Sequence, residues 1–128
     1  MTDTIARDLA LLRAQRKAHM GTAVTYRRGA DSVEVTATIG ETPFRIAQGY
    51  GAEIVVRMRD YLIEAADLVL DGAEVLPEAG DRIEEVVGDD TYVHEVMGPG
   101  NGEPPWRWSG PDRGTLRVHA KHVDTETS

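Results

Sequence analysis

The chain has no cysteine, so it can form neither a disulfide nor a thiolate metal site, and the lack fits a reducing compartment. It has no apolar run of the roughly eighteen residues that a membrane-spanning helix needs. The N-terminal stretch lacks the apolar centre of a secretory signal and instead carries Asp3, Arg7, Asp8, Arg13, Arg16 and Lys17. A soluble protein of cytosolic origin is the expectation. A basic stripe is missing too. Net charge is −8, a balance poorly suited to gripping a phosphate backbone.

The charge that is present is uneven. Between Glu64 and Glu95 eleven acids stand against the single base Arg82, a net −10, whereas Met1 to Gly21 carries +2. One reading is a solvated face that keeps the protein soluble. The other is a surface that meets a basic partner, or one that DNA slides past without sticking.

At 128 residues the chain is long enough for one domain with a real core. The centre of the pattern is Leu76-Pro77-Glu78-Ala79-Gly80-Asp81-Arg82-Ile83, a Pro/Gly turn between the apolar run Ile54–Ile63 and the β-rich run Ile83–Val87. Strand, tight turn and strand predict a small antiparallel sheet that closes on itself. Three segments follow: an N-terminal helix over residues 1–21, a β-barrel domain over 22–123 and a polar tail over 124–128. Ile5, Leu9 and Leu12 give the helix one narrow apolar stripe, with Arg13, Arg16, Lys17 and His19 in its last turns, where the helix dipole favours bases. Such a helix either packs on its own domain or reaches a neighbouring subunit. Thr22–Tyr26 and Asp31–Ile39 read as a hairpin around Arg28-Gly29-Ala30-Asp31, because Val33, Val35, Ala37 and Ile39 alternate with polar residues.

Gly40 to Gly51 reads as a polar connection around Pro43, with a short strand at Phe44 and Ile46. Ile54–Ile63 reads as a strand with a helical turn near Ala65, followed by a fragment ending at Asp71-Gly72. Thr91–Val96 is a strand with Tyr92, His94 and Val96 on one side. The run from Met97 to Pro105 holds three glycines and three prolines, so it is a loop, placed here at the tip of a long hairpin. Trp106-Arg107-Trp108 and Leu116–Val123 complete the sheet.

Chemistry finds little to work with. His119 and His122 fall on opposite faces of a strand, and no spacing of ligands announces a metal; no metal or cofactor is predicted. No serine sits in a Gly-x-Ser-x-Gly elbow. Gly49-Tyr50-Gly51 lacks the spacing of a phosphate loop. Asp60 interrupts an apolar strand and reads as a partner of Arg57, Arg59 or a turn N–H rather than a catalytic base. No enzymatic activity is predicted. Trp106 and Trp108 read as core or rim residues; the competing use is a face that binds a small ligand.

Arg59-Asp60-Tyr61-Leu62-Ile63, Asp67-Leu68, the Pro77–Ile83 turn, Tyr92-Val93-His94-Glu95-Val96 and the Leu116–Val123 strand together resemble head–tail joining proteins of tailed bacteriophages, also called head-closure or head-completion proteins. The resemblance implies a small barrel with a helix, assembled as a homo-oligomeric ring between the portal or adaptor protein and the tail-terminator or tail-tube protein, in the virion neck. Such a ring seals the filled head, docks the tail and lets genome DNA pass without sequence-specific binding. A tail-terminator role is the structural alternative, and a small-ligand-binding barrel the non-structural one. On this reading Arg13, Arg16, Lys17, Tyr50, Pro99, Asn101 and Pro104 are the candidate partner-interface residues, since the Gly40–Gly51 and Gly98–Pro105 segments are of the kind that order against a partner.

Overall fold

A computed structural model describes residues 21–47, 49–100 and 102–127. The expected N-terminal helix, with Arg13, Arg16 and Lys17, lies outside the described residues, as does Asn101. The rest is mainly β: β1 (Thr22–Arg28), β2 (Asp31–Ala47), β3 (Glu53–Glu64), β4 (Val69–Leu70), β5 (Ala73–Glu74), β6 (Arg82–Val87), β7 (Asp90–Val96), β8 (Trp106–Trp108) and β9 (Thr115–Thr127). Every pairing is antiparallel.

The main sheet runs β3-β2-β1-β6-β7-β9-β8, and β3 also pairs with β9, so the order returns to its start. The alternation read in the sequence decides which side faces the core. Val24 and Tyr26 from β1, Val35 and Ala37 from β2, Tyr61 and Ile63 from β3, Ile83 from β6, Val96 from β7, and Leu116, Val118 and Ala120 from β9 form one buried cluster. A one-residue slip of any of these strands would bury its polar set. Gly29 takes φ +60 in the β1–β2 turn, a value that favours glycine. Asp71 and Gly72 both take positive φ in the β4–β5 turn, as a two-residue primed turn requires.

Four expectations need correction. β2 does not break at Gly40; it runs unbroken to Ala47, paired with β3 throughout, because Thr42, Phe44 and Ile46 keep the alternation going against Met58, Val56 and Ile54. β9 likewise continues through Asp124 to Thr127, paired with β7, so the polar end of the domain is an exposed strand. The Pro77–Ile83 turn does not fold β6 onto β3. β6 pairs with β1 and β7, and the Arg59–Glu85 ion pair links β3 to β6 without any ladder between them.

The fourth concerns residues 97–105. β7 and β8 are not two sides of a hairpin. Both lie along the same edge of β9, β7 beside residues 120–127 and β8 beside 116–118. Where they meet, Met97 N–H donates to the His119 carbonyl (3.2 Å) and His119 N–H donates to the Pro105 carbonyl (2.8 Å). The Gly/Pro run is thus an excursion whose two ends are pinned at a single residue of β9. Its neck is tight: a Cβ on Gly98 would run into the Glu103 carbonyl oxygen, so only glycine fits.

Candidate partner interface

Beyond the Glu41–Arg59 pair, where β9 leaves β3, β2 and β3 continue as a two-stranded arm to the Ala47–Glu53 pair, about 20 Å at strand rise. The arm's two faces differ. Glu41, Pro43, Arg45, Glu53, Val55 and Arg57 are all exposed, and the exposed ion pairs Arg57–Glu41 (3.0 Å) and Arg45–Glu53 (3.4 Å) cross this face. The other face carries Phe44, Ile46, Ile54, Val56 and Met58. At the tip Tyr50 sits fully exposed at φ 51, between Gly49 and Gly51, both also at positive φ. A non-glycine residue there is strained, and an aromatic ring with no cover is poorly placed in an isolated chain.

The arm springs from a buried charge cluster. Asp60, wholly buried, accepts from His119 Nδ1 (2.7 Å), from Arg117 Nη1 (2.5 Å) and from the Thr42 hydroxyl. Its partners therefore come from β2 and β9, and not, as the sequence suggested, from Arg57 or Arg59 beside it. Burial alone would raise its pKa, but the hydrogen bonds from His119, Thr42 and Arg117 prevail and hold it below the ordinary carboxylate value. Phe44 stands edge-on to His119 at 5.1 Å, so arm and body meet at the same imidazole.

β3 and β9 separate at this point. They pair from Glu64–Thr115 back to Arg59–Ala120, and there the ladder ends. Residues 53–58 keep β2 on one edge, and residues 121–127 keep β7; among the described residues neither stretch has a strand on its other edge. In this fork lies a recess of about 200 Å³, lined by Gly40, Glu41, Arg57, Arg59, Lys121 and His122 among others.

A second cleft, of about 330 Å³, shares Arg59, His94 and His122 with the fork and adds Glu85, Val87 and Tyr92. Arg59 holds both oxygens of Glu85 (2.8 and 2.9 Å). Tyr61 hydroxyl donates to Glu85 (2.8 Å), so it must accept from His94 Nδ1 at 3.0 Å, which assigns the proton to that nitrogen. Burial, then the hydrogen bond to Glu85, raises the Tyr61 pKa. Burial, reinforced by the Arg59 charge, pushes His94 down to about 4, so it is neutral at pH 7. Glu85 is engaged by Arg59, and the hydroxyl beside His94, that of Tyr61, is itself tied to Glu85. Among the described residues no group of three or more metal-ligating side chains converges.

A third network fixes the Pro/Gly turn. Buried Asp81 accepts from Tyr26 hydroxyl, from Arg28 Nε and Nη2 (both 2.9 Å) and from Glu78 N–H (2.9 Å). Here too burial would raise the carboxyl pKa, and Arg28 with Tyr26 brings it below the ordinary value. Asp81 and Glu85 are therefore structural. The acidic region is not one solvated face, although Asp71, Glu74, Glu78 and Asp89 in it are exposed.

Of the interface residues read from the sequence, Tyr50 and Pro104 are exposed, one at the arm tip and one on the 97–105 excursion, whereas Pro99 is buried. Trp106 and Trp108 stand edge-on at 5.3 Å, partly buried against the core, and a shallow polar recess beside Trp108 includes Arg107 and Arg117. The two free edges were missed; only the unbroken alternation through Phe44 and Ile46 signalled the arm.

A family model described as phage head-tail joining protein matches residues 2–127. The chain belongs to that family. No curated protein sequence matches it. Phage head–tail joining proteins are structural rather than enzymatic parts of the virion and work against other head and tail proteins. In this head–tail joining protein, accordingly, the groups that look chemical in isolation are tied into the fold, and the open features are strand edges and an aromatic tip. Among the described residues no helix is long and apolar enough to cross a membrane.

Proposed function

We propose that this head–tail joining protein is a ring-forming connector at the neck of a phage or phage-like particle, lying between the portal or adaptor protein and the tail-terminator or tail-tube protein. It assembles in the bacterial host's cytoplasm, seals the filled head and offers the tail a docking surface. The observation that carries this reading is the arm: a two-stranded ribbon is marginal alone in water, yet this one projects an uncovered Tyr50. Tyr50 and Pro104 are the described residues we assign to partner contact, with Arg13, Arg16, Lys17 and Asn101 as further contacts. The buried Pro99 serves by shaping the loop that presents Pro104. The body, a small barrel on this reading, is the ring's rigid wall. Exposed carboxylates facing the lumen would repel DNA phosphates and let the genome pass without binding.

Particles assembled without this protein test the proposal by electron microscopy. DNA-filled heads that leak or lack tails are expected, and normal infectious particles would overturn it. Density for the chain against the tail tube, away from the portal, would make it a tail terminator instead.

A further inference from the structure

We propose that Tyr50, at the arm tip of one copy, seats in the cleft of about 330 Å³ of the next copy, the one that Tyr92, His94 and His122 line together with Arg59, Glu85 and Val87. The inference deepens the ring reading above and rests on it.

What the cleft can take follows from its lining. Tyr92, His122 and His94 form a run of rings, with successive centroids 5.9 and 5.5 Å apart, and Val87, 53% exposed, adds an aliphatic edge. Tilted rings of this kind receive another aromatic ring well, edge to face. Arg59 and Glu85 satisfy each other, which leaves neither carboxylate nor guanidinium for a charged guest. One polar position remains. The proton on His94 Nδ1 goes to Tyr61, so Nε2 is an acceptor. Among the described residues no sealed side-chain nitrogen lacks a partner, so this one opens to the cleft that His94 lines. The volume is at the low end of those that hold a small ligand. The guest specified is a single neutral ring that carries an O–H donor, which is a tyrosine side chain.

Tyr50 is such a group without a seat. Its φ of 51, between Gly49 at 80 and Gly51 at 75, holds the ring out at a cost in backbone strain. It cannot fill its own cleft. From Arg59 the paired strand runs about 20 Å to Glu53, and Tyr50 lies beyond that, so turning back would break the β2–β3 ladder. A ring that passes from full exposure into a pocket is the kind of anchor that dominates an interface. Knob and hole lie on different parts of the surface, so the contact is heterologous. Each copy gives its own Tyr50 and receives its neighbour's, and copies joined in that order close into a ring when the rotation allows.

Photocrosslinking tests the contact. Particles assembled with 4-azidophenylalanine in place of Tyr50 should, after irradiation, give a ladder of covalent oligomers that runs past the dimer. Mass spectrometry should place the new bond in the segment that holds Tyr92 and His94, or at His122, of another copy. A ladder that stops at the dimer would mean that two copies exchange arms about a two-fold axis, and would overturn the head-to-tail order. Bonds to portal or tail proteins alone, or no bond at all, in particles that hold the chain at the head–tail junction would overturn the proposal and leave the connector reading standing. Absence of the unmodified chain from the junction would sink both. Substitutions guard against a modified chain that fails to assemble. Tyr50→Ala should cut incorporation into particles several-fold, and so should Val87→Trp, which fills the cleft from its exposed side. The two together should be no worse than either alone, since both remove one contact. No loss from Val87→Trp, or losses that multiply, would overturn the proposal.

Discussion

Along the single strand β3, residues from Arg59 to Glu64 have β2 on one side and β9 on the other, whereas those from Glu53 to Met58 have only β2. The first stretch contributes Asp60, Tyr61 and Ile63, all wholly buried, and its polar groups are tied to Thr42, Glu85, His94, Arg117 and His119. The second exposes Ile54 and Val55 and holds its charges in surface ion pairs. One β-branched, apolar sequence thus serves as wall in one half and as open edge in the other. Sequence character did not set that difference; the partner strand did. An exposed edge of this kind invites pairing with another chain unless something covers it.

If the body owes its rigidity to buried carboxylates, removing one should cost far more than any change in the arm. Asp81→Ala strips the partner from Tyr26 and Arg28 and unties the Pro/Gly turn; a loss of about 3 kcal/mol is expected, read by urea denaturation. A variant as stable as the parent would remove the body's privileged standing.

Acid should act on the body in two stages. His94 is held neutral down to about 4 against an ordinary 6.5, so the unfolded chain binds a proton first and stability falls as pH drops through that window. The loss amounts to about 3 kcal/mol at most, and His94→Gln should flatten the slope there. Asp60 and Asp81 have folded pKa values below their ordinary ones, so their contribution is present above about pH 4 and disappears as pH falls further. Stability that is flat in the parent from pH 6.5 to 4 would contradict the assignment of His94.

Gly98→Ala comes next. Its methyl group would strike the Glu103 carbonyl oxygen and prise open the neck of the 97–105 excursion, at about 1–3 kcal/mol by thermal denaturation. The smallest effect belongs to the arm. Arg45→Ala breaks an ion pair exposed on both sides and should change stability by less than about 0.5 kcal/mol.

The sequence was most legible where alternation and turn chemistry agree. Val33, Val35 and Ala37 with Gly29 specify the first hairpin, Asp71-Gly72 specifies the β4–β5 turn, and Tyr92, His94 and Val96 do share a face. It misled where composition spoke louder than pattern. Gly40 and Pro43 suggested a loop in the middle of β2, although both tolerate an extended backbone and Pro43 lies on the arm's exposed face. Asp60 pointed to its neighbours Arg57 and Arg59, because nothing local shows that Arg117 and His119 arrive from 57 and 59 residues away. The fork was not legible at all. It depends on where the β3–β9 ladder stops, which is settled by tertiary packing at Arg59–Ala120.

Hydrogen exchange of the full-length chain, free and then assembled in particles, tests most directly the claim that one strand is wall in one half and docking edge in the other. In the free chain, amides of residues 53–58 and 121–127 should exchange quickly while those of 59–64 stay protected, and assembly should slow the first two sets alone. Uniform protection along β3 in the free chain, or edges that still exchange quickly in the particle, would contradict the account.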